Sequence, residues 1–91
     1  MRRDYSDHEV KALILDWLVR HGRWGSHYFP IDTLVNKLSH AVKNNGKRIR
    51  KFVRELVKEN YLLLHKGGET VSLNPHKNID ILEYIKKVLK V

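Results

Sequence analysis

Seven basic residues crowd one stretch of the chain: Lys43, Lys47, Arg48, Arg50, Lys51, Arg54 and Lys58, against a single acid, Glu55. Seven cations less one carboxylate place +6 of the chain's +8 formal charge there. Read at 100° per residue, Lys47, Lys51, Arg54 and Lys58 share one helical face, and Arg48 and Arg50 flank it. Cations packed this way suit a polyanion. Duplex DNA carries one negative charge per roughly 1.7 Å of axis, so such a face gains by releasing counterions. A solvated, solubilising lysine-rich face is the plainer alternative. A second basic spot is Lys66-Gly67-Gly68, where glycine would let backbone approach a phosphate and His65 or Thr70 could add a hydrogen bond. Arg2 and Arg3 make a short amino-terminal arm that could reach a minor groove.

Other chemistry finds little support. The histidines, His8, His21, His27, His40, His65 and His76, are scattered without metal-ligand spacing. The chain has no cysteine, which excludes disulfides, thiol catalysis and cysteine-based zinc sites. Ser26-His27 and Asp16 form no triad pattern. There is no nucleophile elbow, phosphate loop or dinucleotide turn. The expectation is a protein that is not an enzyme and needs no cofactor or metal. No apolar run is long enough to span a membrane, and the first residues lack the apolar stretch of a secretory signal. A cytoplasmic, nucleoid-associated location follows as an expectation.

The elements that must position the basic face are legible. Ninety-one residues with 42% hydrophobic and 31% charged content suit one small globular domain, taken as 6–91 behind an arm of 1–5. Ser6-x-x-Glu9 is a capping box. Val10, Leu13, Ile14, Trp17 and Leu18 follow at helical spacing, with Gly22 as a stop. Ala12, Leu15 and Val19 form a second, narrower apolar stripe on this first helix. His27-Tyr28-Phe29 reads as a short strand. Asp32 is the expected N-cap of a second helix with Leu34, Val35 and Leu38 inward. Ile49, Phe52, Val53, Leu56 and Val57 define a third helix over about 46–60. Gly67-Gly68 joins two strands, 61–66 and 69–74, in a register that pairs Lys66 with Glu69, Leu64 with Val71 and Leu62 with Leu73. A fourth helix spans about 78–90. The fold class is α+β, mostly helical.

The order helix, short strand, helix, helix, hairpin, helix resembles the winged helix-turn-helix family. The likeness rests above all on Ile49-Arg-Lys-Phe-Val-Arg-Glu-Leu-Val-Lys-Glu-Asn-Tyr-Leu-Leu-Leu-His-Lys-Gly-Gly-Glu-Thr-Val-Ser-Leu-Asn-Pro75, which is similar to the recognition helix and wing of small archaeal and bacterial transcription regulators. The resemblance implies a double-stranded-DNA-binding regulator, with the third helix in the major groove and the wing on the backbone. It nominates Asn45, Lys47, Arg48 and Lys51 for base edges, Arg48 toward guanine and Asn45 toward adenine. Lys43, Arg50, Arg54 and Lys58 would meet phosphates. One departure is the connector 40–45, longer than the usual turn of about three to four residues. Either the second helix extends beyond Ser39, or helices two and three meet at an atypical angle.

Two readings stay open. The apolar residues Ile81, Leu82, Ile85, Val88 and Leu89 of the last helix could pair across a two-fold axis in a homodimer, or fold back onto helix one. The alternative function is a winged-helix adaptor that binds a protein or RNA partner in a replication, transcription or ribosomal complex. Trp17 is expected in the core; Trp24, Tyr28 and Phe29 suit either core packing or an exposed patch.

Overall fold

A computed structural model of the protein describes residues 5–40 and 45–90. Helix α1 (Asp7–Arg20) starts on the capping box. The Ser6 amide donates to Glu9 Oε1 at 2.9 Å, and the Glu9 amide donates to Ser6 Oγ at 3.2 Å. Its end is a Schellman turn. Gly22 takes a φ of +63°, its amide donates to the Val19 carbonyl, and the Arg23 amide donates to that of Leu18. Both apolar stripes of α1 are used. Val10, Ile14 and Leu18 on one, and Ala12 and Leu15 on the other, are fully buried. This makes α1 the central helix, with later helices packed on it from two directions.

Strand β1 (Phe29–Pro30) is shorter than expected, and α2 (Ile31–Leu38) follows at once. Pro30 occupies the N-cap position, where its fixed φ of −63° leads into the helix. Asp32 therefore lies in the first turn and does not cap, contrary to the sequence expectation. Ser39 caps the far end, its hydroxyl donating to the Asn36 carbonyl, so α2 does not extend beyond it. Helix α3 (Asn45–Lys58) ends in a second Schellman turn. Here Asn60 takes the left-handed position at φ +68°, and the Tyr61 amide donates to the Leu56 carbonyl at 3.0 Å.

The sheet has the order β1-β3-β2 and is antiparallel throughout. Strands β2 (Leu62–His65) and β3 (Thr70–Leu73) pair in the expected register, Leu62 with Leu73 and Leu64 with Val71. The turn is longer than expected. Lys66 and Glu69 do not pair as strand residues; Lys66–Gly68 form a tight turn of left-handed residues, and the Glu69 amide donates to the His65 carbonyl. Leu62, Val71 and Leu73 enter the core on one sheet face, while Leu64 on that face stays 48% exposed. The opposite face is covered too. Ser72 is fully buried there, its hydroxyl donating to the Gly25 carbonyl at 2.6 Å, and the Tyr28 ring stacks on His65.

Asn74 closes the hairpin. Its side-chain amide donates to the Asn60 carbonyl, and its Oδ1 accepts from the His76 amide to start the turn into α4 (Asn78–Leu89). Helix α4 folds back onto α1. Ile81 and Ile85 lie in the common core with residues of every other helix. This corrects the dimer set: neither residue is available to a second copy, Leu89 packs against the same core, and only Leu82 of the five is exposed. Trp17, Trp24 and Phe29 also pack against this core, whereas Tyr28 stays exposed. Among the described residues, no helix is long and apolar enough to cross a membrane.

Candidate nucleic-acid interface

The two faces of α3 separate as its sequence requires. Ile49, Phe52, Val53 and Leu56 are buried under α1, α2 and the sheet. Burial of such side chains is worth roughly 1.5–3 kcal/mol each, which holds the opposite face outward. Lys47, Lys51, Arg54 and Lys58 are all exposed on that outer side. None of the four forms an ion pair with another described residue. They are cations held in a row by a half-buried helix, without a carboxylate partner among the described residues.

The acids of this region are held elsewhere. Lys11 of α1 is buried to 9% exposure and reaches across to α3. Its Nζ lies 3.1 Å from Glu55 Oε1 and 3.3 Å from Glu59 Oε1. Burial by itself would pull the Lys11 pKa down. The hydrogen bond to Glu55 and the attraction of Glu59 outweigh it, and the pKa stands above its ordinary value of 10.5. The one acid in the basic stretch is thus engaged from behind by a lysine of another helix. The neighbouring Tyr84 hydroxyl, hydrogen-bonded to His8 Nδ1 at 3.1 Å, has its pKa pushed up chiefly by burial.

Two of the nominated cations are also held from within. Arg48 turns back toward the start of α1. Its Nη2 donates to the Tyr5 carbonyl and to Asp7 Oδ1, the latter at 3.1 Å, and the side chain is 21% exposed. Its guanidinium lies 5.7 Å from the Phe52 ring centroid. The expected guanine-reading role therefore falls on a group that is already bonded to two oxygens. Arg50 pairs with Asp32 in the first turn of α2, which gives that aspartate a use other than capping.

The hairpin tip lies beside this flank. Arg50, Lys66 and Gly68 line one cleft of about 520 Å³, together with Asp32, Glu69 and Thr70. Lys66, Gly67 and Gly68 all take positive φ, at 50°, 65° and 93°. Glycine does this freely, but for a lysine the left-handed conformation costs about 1 kcal/mol or more. Of the remaining nominations, Asn45 is the first residue of α3, and Lys43 lies outside the described residues, as do Arg2 and Arg3. Among the described residues no group of three histidine or carboxylate side chains is placed to hold a metal ion.

Sequence reasoning missed Lys11. The available signal was its place on α1: Ile14, Leu15 and Leu18, its neighbours one and two turns on, are all apolar. A lysine in an apolar stripe calls for a carboxylate partner, and Glu55 with Glu59 is an acid pair at one-turn spacing. No family model, no curated protein and no solved structure matches this chain.

Proposed function

We propose that this protein binds double-stranded nucleic acid, B-form DNA in the first place, through the exposed face of α3 and the hairpin tip. The observation that carries the reading is the row Lys47, Lys51, Arg54 and Lys58, exposed and without an acid partner among the described residues, on a helix whose one acid, Glu55, is held by Lys11. A row of free cations on a rigid helix matches a phosphate backbone. The order of elements, α1, β1, α2, α3 and then the β2–β3 hairpin, supports a winged-helix arrangement in which α3 enters the major groove and Lys66 touches the flanking backbone. A role in transcription regulation goes with that reading.

Within it the roles shift from those nominated by position alone. Lys47 and Lys51, near the start of α3, take the base-edge and inner-groove positions. Arg54 and Lys58 face phosphates. Arg48 sets the height of α1 against α3 instead of reading a base.

The test is a fluorescence-anisotropy titration of a random-sequence DNA duplex and a matched RNA duplex at two salt concentrations. The reading expects salt-sensitive DNA binding that the pair Lys51→Glu/Arg54→Glu abolishes, with weaker binding of the A-form RNA, whose major groove excludes a helix. No DNA binding at low salt would overturn it. Equal binding of both duplexes would leave phosphate contact and remove major-groove entry.

A further inference from the structure

The flank of α3 that faces the hairpin carries a feature that phosphate binding does not use. Between α3 and β2 runs a groove of about 400 Å³. Its floor is apolar, formed by Val53, Val57 and Leu64, and Leu64 leaves 48% of its surface in water. Its rim is basic. Arg50, Arg54 and Lys58 stand over it at successive turns of one helix, and only Arg50 has an acid partner among the described residues. The groove adjoins the cleft beside the hairpin tip, since Ile31, Arg50 and Gly68 line both; Asp32 and Glu69 line that cleft, so the unpaired positive charge lies at the Arg54 and Lys58 end of the groove.

We infer that this groove is a docking site for an acidic peptide segment of a protein partner, one that carries a bulky apolar side chain among its carboxylates. The charge argument is direct: a basic rim with two unpaired cations attracts an acidic chain and repels a basic one. The floor adds what a phosphate lacks. A phosphate or a carboxylate gains nothing from Val57 and Leu64, whereas an apolar side chain buries both itself and the exposed leucine. Cations at successive turns of α3 above an apolar floor match a chain in which acidic and apolar side chains alternate. Arg54 and Lys58 belong both to the outer row and to this rim, so the peptide and a nucleic-acid duplex exclude each other. An acidic partner would release the protein from DNA.

Three synthetic peptides test this on the full chain. The first alternates glutamate and aspartate with leucine and phenylalanine. The second keeps the acids and replaces the apolar residues with serine. The third keeps the apolar residues and replaces the acids with their amides. Methyl NMR reads the shifts of Val53, Val57 and Leu64. The first peptide should shift these methyls and bind roughly ten-fold more tightly than either control. Leu64→Ser, a change at an exposed site, should remove that advantage and leave affinity for duplex DNA unchanged. Duplex DNA should displace the peptide. Absence of shifts at millimolar peptide overturns the inference, as does equal binding by the first two peptides. Either failure leaves the nucleic-acid reading standing, because Leu64→Ser and the DNA titration report on it separately.

Discussion

Arg48 and Arg54 lie on the same helix and carry the same guanidinium, yet the fold treats them differently. Arg48 turns inward, to the Tyr5 carbonyl and the Asp7 carboxylate. Arg54 stands exposed with no acid partner among the described residues. The contrast extends along α3. Arg48 and Arg50 lock the helix to α1 and α2; Lys47, Lys51, Arg54 and Lys58 are left to the solvent. Charge content alone does not separate the two groups, but partners do. A cation that already has a carboxylate releases few counterions when a phosphate arrives, and it must break a bond to move. The free row is therefore where a polyanion gains most.

The largest effect should come from reversing charge in the free row. Lys47→Glu/Lys58→Glu should lower duplex affinity on the order of a hundred-fold at low salt, with the folding midpoint unchanged. Circular dichroism together with anisotropy checks both halves. A small loss of affinity would break the comparison, because it would mean that the free cations are only a solubilising surface.

The next effect in size is at Lys11. Lys11→Met leaves Glu55 and Glu59 without their cation, and two carboxylates then join the field of the basic helix. Because both acids are partly exposed, the stability loss should be about 1–3 kcal/mol, below that of a fully buried pair. Duplex affinity should fall with it. The pH dependence has a definite sign. The folded protein holds the Lys11 proton more tightly than the unfolded chain does. The stabilisation is therefore complete below the ordinary value of 10.5 and is lost as pH rises through the higher folded value. Tyr84, raised from 10.0, acts in the same direction. Urea unfolding across the alkaline range should show wild type losing stability more steeply than Lys11→Met.

The smallest effect sharpens the comparison at the hairpin. Lys66→Gly should raise stability by up to about 1 kcal/mol, since glycine takes positive φ without strain. The same change should weaken duplex binding a few-fold by removing one cation from the tip. Thermal unfolding and anisotropy would show opposite signs. A variant that gains stability with no loss of affinity would remove Lys66 from the interface.

Much of this was legible in the chain because it is set locally. The capping box at Ser6 and Glu9, the glycine stop at Gly22 and the bounds of α4 depend on neighbours in sequence. The hairpin register followed from sorting Leu62, Leu64, Val71 and Leu73 onto one face. What was not legible depends on partners distant in sequence. Ser72 falls on the strand face opposite the leucines, and the hydrogen bond that holds it there goes to Gly25, 47 residues away in sequence. Asp32 reads as a cap; Pro30 takes the cap position and Arg50 takes the aspartate. Arg48 reads as the best base contact on α3 by position and chemistry, and the start of α1 claims it. Ile81 and Ile85 read equally well as a dimer seam or an internal stripe, and the apolar surface they pack on is supplied within the same chain, with α4 folded back onto α1.

The most direct test of the central claim sets the two arginines against each other. Duplex affinity is measured across a salt series for wild type, Arg54→Ala and Arg48→Ala, and the slope of log affinity against log salt is compared. Each phosphate contact contributes about 0.9 to that slope on B-form DNA. The account predicts that Arg54→Ala lowers the slope by about one such contact at unchanged stability. It predicts that Arg48→Ala keeps the slope and loses about 1 kcal/mol of folding stability instead. A slope that falls with Arg48→Ala and stays fixed with Arg54→Ala would contradict it.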